Sequence, residues 1–288
     1  MFGPAYFTTI QETLDFCHRE PKFFDLMTTS AKLFQDRFNL HDFDILFLSG
    51  SGTLAMESLI FSSKNKVQVL GPMGKFSERW TALSTRYNHE KESNDTIRLS
   101  CAFETSRSEK CCEETEIIDA VSSFPYYEIP ASAIAFGTVS SKQLGAAPVL
   151  GIVGIRKNAW NLFINDPLPS CLNLSLYRSY ALEAQTPFTP AYTLLADLKR
   201  KLESFDVERL RKKVETVSNM LVTHFGEEHI IGDKIAPAIS ISAKRIPEEI
   251  ARKWNLYGCW KNSAVLQIFT YSEEISAYQR LIENCNKI

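Results

Sequence analysis

The chain lacks any apolar run approaching the roughly 20 residues that a membrane-spanning helix needs, so an integral helical membrane protein is not expected. It also lacks a CxxC spacing. Its seven cysteines are scattered, with only Cys111 and Cys112 adjacent, so a zinc site or redox pair is not expected and free thiols are the default. Net charge is small, with 32 basic against 34 acidic residues and a formal charge of -2. Nothing in that balance points to nucleic acid, and the runs Arg209, Arg211, Lys212, Lys213 and Asp197, Lys199, Arg200, Lys201 read as solvated helix faces. The first residues, Met1, Phe2, Gly3 and Pro4, show no charged and apolar leader, so a cytoplasmic protein is expected.

What is present is enough for a large core. With 288 residues, 44% of them hydrophobic, the length fits one large domain with a smaller one appended. Apolar residues at helical spacing (Leu14, Phe23, Phe24, Leu26, Leu33, Phe34, Phe38) place helices across residues 8 to 40. A compact strand over residues 43 to 48 then runs straight into Ser49, Gly50, Ser51, Gly52, Thr53 and a helical segment. Two glycines let that backbone turn tightly, and the helix start offers free N–H groups to an anion. The third glycine of a dinucleotide fingerprint and the lysine of a Walker loop are both missing, so the turn alone fits a phosphate cradle or a ligand-free strand-to-helix connection.

Strands over 66 to 70 and 96 to 102 follow, and residues 117 to 151 carry the chain's most informative pair. Ile117, Ile118, Asp119 ends one apolar strand in a carboxylate. A second apolar run over 131 to 139 leads to Ser140, Ser141, Lys142. An acid and a lysine therefore sit at the ends of neighbouring strands, where open α/β sheets bind ligands, although a solvated acid and a solvated lysine give the same local pattern. Further on, Thr189 followed by Pro190 reads as a helix start, with helical spacing over 191 to 202. A charged amphipathic helix over 205 to 225 leads into a strand, helix, strand, helix succession ending near residue 284.

Taken in order, these motifs resemble the class V aminotransferases of the fold-type-I pyridoxal phosphate (PLP) enzymes, a group that includes alanine:glyoxylate, serine:pyruvate and 2-aminoethylphosphonate transaminases. The resemblance implies an α/β fold: an N-terminal arm over 1 to 15, a large PLP-binding domain over 16 to 204 with a mostly parallel mixed sheet, and a small C-terminal α+β domain over 205 to 288. It also implies the roles of single residues. Ser51, Gly52 and Thr53 would hold the cofactor phosphate, Phe76 would stack on the pyridine ring, and Val121 would pack on the opposite ring face. Thr105 would bond the phenolic oxygen. Asp119 would keep the pyridine nitrogen protonated, and Lys142, after Ser141, would carry the cofactor as a Schiff base and shuttle the proton. Thr189 would reach the neighbouring subunit's phosphate, which implies a homodimer with shared sites. No metal is implied.

The chain also departs from the family. It is shorter by roughly twenty residues between Phe76 and Glu104 and by roughly ten between Glu104 and Asp119, enough to remove a helix in each place and leave one sheet face thinly covered. Ser77 replaces a usual glycine, and Val149 another. Gln267 stands where most members carry the arginine that clamps the substrate carboxylate, and glutamine supplies neither the charge nor the fork. Arg107 is the first substitute cation, with Gly3 a further substrate contact. The expected activity is a PLP-dependent transamination between a small amino donor, an amino acid or aminophosphonate, and a 2-oxo acid acceptor. The alternatives are a PLP-dependent lyase or decarboxylase, or a non-catalytic dimeric relative. A cysteine desulfurase fits less well, because Phe76 stands where that group has histidine and Cys259 lacks its catalytic loop.

Overall fold

The computed structural model describes residues 17–111, 114–165, 168–261 and 263–286. The segment 1–16, with the expected arm and Gly3, lies outside the described residues. Helix α1 (Pro21–Phe38) opens the described chain with proline in its first turn, where a missing N–H costs nothing, and ends on Asn39 in the left-handed conformation. Strand β1 (Phe43–Ser49), helix α2 (Gly52–Ser62), strand β2 (Lys66–Leu70), helix α3 (Lys75–Asn88) and strand β3 (Thr96–Cys101) follow in alternation. A hairpin of β4 (Phe103–Glu104) and β5 (Glu109–Lys110) precedes β6 (Ile117–Asp119), β7 (Ala135–Val139) and β8 (Leu150–Arg156). Helices α4 (Leu174–Ala181), α5 (Tyr192–Glu203) and α6 (Val207–Phe225) come next. The chain closes with β9 (Ile230–Ile231), β10 (Ala238–Ser242), α7 (Glu248–Lys253), β11 (Val265–Phe269) and α8 (Ile275–Cys285).

The large sheet has the order β1-β8-β7-β6-β3-β2, in which β2, β3, β6 and β7 pair in parallel and β8 runs antiparallel to both its neighbours. Side chains alternate across it, so β1 sends Phe43, Ile45 and Phe47 to α1 and α5, and Leu46 and Leu48 to α2 on the other face. Phe136 of β7, fully buried, packs against both Phe43 and Phe124. A third core joins α6, α7 and α8 to the antiparallel sheet β11-β10-β9.

The shortened segments have visible consequences. The connection from β3 to β6 carries the β4–β5 hairpin where a crossover helix was expected to be lost, and α3 alone links β2 to β3. On the face covered by α1 and α5 at the other end of the sheet, Gln68 of β2 and Arg98 of β3 are exposed. Their strands accordingly alternate, with Val67, Ile97 and Leu99 buried opposite, as expected of strands wetted on one side. The edge is blunted by side chains: Asn88 donates to the Val67 carbonyl at 2.9 Å and accepts from its N–H at 2.8 Å, occupying the groups another strand would pair.

Two local readings are corrected. Helix α5 starts at Tyr192 with Ala191 as its cap and no capping side chain, so Thr189 is not the cap. Asp197 does not belong to a solvated face. It is buried, accepts the Ala147 N–H at 2.7 Å and thereby anchors the loop that follows Lys142 to α5.

Candidate active site

The turn after β1 folds as its glycines suggest. Ser51 caps α2, its hydroxyl accepting from the Leu54 N–H at 3.4 Å, and Gly52 begins the helix. A Cβ on Gly52 would stand 2.7 Å from a methyl of Val121, so the glycine lets the helix start approach the loop after β6. The Thr53 hydroxyl accepts from Arg79 at 3.1 Å, and the guanidinium lies over Phe76 and Trp80. A helix N-terminus and a guanidinium thus stand together, an arrangement suited to a phosphate.

Helix α3 begins against a buried carboxylate. Gly74 has no side chain to cap it, and Glu104 does so from β4, accepting from the N–H groups of Phe76 (3.2 Å) and Ser77 (2.9 Å). A Cβ on Gly74 would lie 2.6 Å from Glu104 Cγ. The replacement of the usual glycine by Ser77 has a physical reason here, since its hydroxyl lies 2.8 Å from the Glu104 carboxylate and 2.9 Å from the Pro72 carbonyl.

Asp119 ends β6 beside Gly137 of β7, and Lys142 follows β7 in a single 3-10 turn with φ at 57°. The carboxylate is buried and accepts from Trp80 Nε1 (2.7 Å), the Cys101 thiol (3.4 Å) and the Val121 N–H (2.9 Å). Burial pushes its pKa upward, and these hydrogen bonds oppose the shift. The Lys142 turn is fixed by Gln143, which donates to the Ser122 carbonyl at 2.7 Å and accepts from the Tyr126 N–H at 2.9 Å. Lys142 Nζ itself lies 3.4 Å from Ser122 Oγ. Burial lowers its pKa to about 8, partly offset by the Asp119 charge.

Lys142 opens into a cavity of about 460 Å³ lined also by Phe76, Thr105, Gln267, Phe269 and residues of the loop before β11. The Thr105 hydroxyl on its wall is buried and has no hydrogen-bond partner, although a buried polar atom normally has one. Gln267 is buried too. Its amide nitrogen donates to the Thr105 carbonyl and, at 3.1 Å, to Ser240 Oγ.

The structure therefore brings Phe76, Thr105, Lys142 and Gln267 to one cavity; Thr53 reaches Phe76 through Arg79, Asp119 acts on Lys142, Gly52 stands against Val121, and Ser51 caps the same helix start. Ser141 is buried directly before the lysine. Two other candidates are not brought in. Arg107 is bound to Glu109 through Nε (2.9 Å) and Nη2 (3.2 Å), donates to the Met73 carbonyl, and does not line the cavity. Thr189 is exposed, and its carbonyl accepts from Ser49 Oγ at 3.5 Å. Sequence reading gave no role to Trp80, Cys101, Glu104, Arg79 and Gln143. Nothing local in the sequence indicated what those side chains hold.

Trp80 offers a direct test of the Asp119 setting. Trp80→Phe keeps an aromatic in the core and removes one N–H from the carboxylate, so the Asp119 pKa should rise further. The acid limb of any pH–rate profile should then move to higher pH with the cofactor still bound; an unmoved limb would show that this bond does not tune Asp119.

The fold is that of the PLP-dependent fold-type-I aminotransferases. The chain superposes on an aspartate aminotransferase of subgroup IV from Thermus thermophilus with a TM-score of 0.81 and 19% identity, covering 99% of this chain and 98% of that one. An alanine-glyoxylate aminotransferase from Nostoc sp. gives 0.79 and 16%, covering 99% and 93%, and a pyridoxamine-pyruvate aminotransferase from Mesorhizobium loti 0.76 and 16%, covering 99% and 91%. No family model matches the chain. Among curated proteins it is 27% identical over 255 residues to a soluble hydrogenase 42 kDa subunit of Anabaena cylindrica, and 28% identical over 238 residues to a soluble hydrogenase small subunit of a Synechococcus strain. Those alignments take in 70% and 67% of this chain and 66% and 61% of the relatives' lengths.

Proposed function

We propose that the chain is a PLP-dependent aminotransferase of the class V type, acting on a small amino donor and a 2-oxo acid. The observation that carries this reading is the placing of a buried carboxylate, Asp119 at the end of β6, near a buried amine of lowered pKa, Lys142 in the turn after β7, beside an unpartnered Thr105 hydroxyl. The donor set fits the cofactor. Ser51, Gly52, Thr53 and Arg79 would hold its phosphate, Asp119 its pyridine N–H, Thr105 its ring oxygen, and Lys142 its aldehyde carbon. Phe76 and Val121 would flank the ring.

When bound, the cofactor supplies an electron-withdrawing ring that spreads the negative charge left at the amine-bearing carbon. The protein's part is to place groups and move a proton. Lys142 Nζ, which would hold the cofactor, would also serve as the base that takes the proton from that carbon and gives it back. Asp119, a buried carboxylate that makes no ion pair among the described residues, would favour a positive charge on the ring nitrogen. With the reading come a homodimer with shared sites, in which Thr189 faces the partner's phosphate, and a cytoplasmic enzyme. Sedimentation of the purified protein tests the first.

The reading is tested by the absorbance of protein purified with PLP, before and after borohydride, with peptide mapping of the reduced adduct. An adduct on Lys142 is expected; a colourless protein without adduct would overturn the reading. Conversion of the cofactor to its amine form by a donor alone separates transamination from the lyase alternative.

The lowered Lys142 pKa sets a pH dependence. Only the neutral amine attacks the cofactor aldehyde, and with a pKa of about 8 roughly a tenth is neutral at pH 7. The rate of covalent capture should therefore rise with pH and level off above about 8. A rate that keeps rising towards pH 10 would show an amine not depressed by burial.

A further inference from the structure

The 460 Å³ cavity has an uneven charge distribution. Its lining includes three lysines, Lys75, Lys142 and Lys261, and no aspartate or glutamate. Lys142 is buried, whereas Lys75, at the start of α3, and Lys261, in the turn before β11, are exposed. Among the described residues neither exposed lysine makes an ion pair, and the ring of Tyr257, 6.0 Å from Lys261 Nζ, is its nearest aromatic contact. The cavity is thus built for an anion, and its uncommitted cations stand at the open end.

Among the described residues, the buried part of the lining, Thr105, Lys142, Gln267 and Phe269, has no uncommitted cation to match them. Both N–H groups of the Gln267 amide are committed, to the Thr105 carbonyl and to Ser240 Oγ, so the side chain can offer incoming substrate only its carbonyl oxygen, an acceptor. Ser106 is exposed, and its hydroxyl donates to Glu104 at 2.6 Å. The Thr105 hydroxyl is assigned above to the cofactor, and Lys142 is the reacting amine. A carboxylate on the amine-bearing carbon itself lies one bond from the reaction and must be met deep in the cavity, where these donors are spent. An anion set further along the substrate extends towards the rim.

We propose that this cavity selects amines whose anionic group lies at least one carbon beyond the amine-bearing carbon, with Lys75 and Lys261 holding that anion at the rim. The inference rests on the aminotransferase reading for the amine's fate, but not for the anion's position. Carboxylate and phosphonate share the required chemistry. Gln267 then acts as a specificity residue by occupation: it closes the inner subsite by tying β11 to the Thr105 loop.

The test compares three donors on the PLP-loaded protein in single turnovers, which need no acceptor: L-alanine, β-alanine and 2-aminoethylphosphonate. The last two should exceed L-alanine in rate over concentration by about tenfold or more, and their order separates carboxylate from phosphonate. In Lys75→Ala/Lys261→Ala this preference should collapse through weaker binding of the two distal-anion donors, with recovery in the Lys75→Arg/Lys261→Arg variant. Added salt should weaken the wild-type preference, because the rim is open to solvent. L-alanine matching the others, or a preference that survives loss of both lysines, would overturn the proposal.

Binding of ethylphosphonate, which has no amine, is measured in parallel by calorimetry on wild type and the double alanine variant. If no Lys142 adduct forms, the aminotransferase reading fails, and this titration alone decides the anion site. Binding weakened about tenfold without the two lysines supports it, and unchanged or absent binding in the wild type overturns it.

Discussion

Lys142→Ala should abolish covalent attachment of the cofactor: after borohydride, the wild type gains the mass of one reduced adduct and the variant gains none. Turnover should fall by at least the roughly 10²–10⁴-fold that a positioned proton-transfer group supplies, with the loss of the covalent attachment added to it. The fold should persist. The lysine's recorded hydrogen bond, to Ser122 at 3.4 Å, is long, and removal of the amine also removes the cost of burying it. The turn itself is held by Gln143 rather than by the lysine side chain. A variant that remains covalently loaded would move the reactive amine elsewhere, and Lys75 and Lys261 share its cavity.

The second large effect is expected at Asp119, where two substitutions separate chemistry from stability. Asp119→Ala leaves Trp80 Nε1, the Cys101 thiol and the Val121 N–H without their acceptor in a buried site, at about 1–3 kcal/mol for each donor left unsatisfied. The thermal midpoint should drop visibly. Asp119→Asn keeps the size and, with its oxygen turned to Trp80 and Cys101, leaves only the Val121 N–H without an acceptor, so it should fold and bind the cofactor, but it carries no charge to hold a proton on the ring nitrogen. Its turnover should fall about 10²-fold or more while the adduct on Lys142 still forms. The neighbouring amine provides an independent readout. Because the Asp119 charge supports the protonated lysine, its removal should lower the Lys142 pKa below about 8 and shift the plateau of covalent capture to lower pH. Full turnover in Asp119→Asn, or a plateau that does not move, would remove Asp119 from the electron-withdrawing role.

Much of the fold was legible because its signals are local. The alternation of short apolar strands with helices of 3.6 periodicity gave the α/β class, and strands were placed at or near the positions of β1, β2, β3, β6 and β7. The apolar run over 131 to 139 was read too long, since only Ala135–Val139 pairs in the sheet. Helix α5 started two residues later than the Thr189 and Pro190 signal implied, because no side chain caps it. Asp197 was misread for a related reason: a charge on an amphipathic helix looks solvated until the Ala147 N–H is found against it.

The sequence by itself determined the order of the chemical groups along the chain: a glycine-rich turn at a helix start, an acid at one strand end and a lysine past the next. Those are properties of neighbouring residues, and backbone geometry carries them directly into local structure. Tertiary structure alone decided what each group is bound to. Trp80 meets Asp119 across 39 positions and Gln267 meets Thr105 across 162. Periodicity encodes which face a side chain takes but not which distant partner lies opposite. Hydrogen bonds act over about 3 Å, so whether a donor is free or spent is settled only when the chain has closed around it.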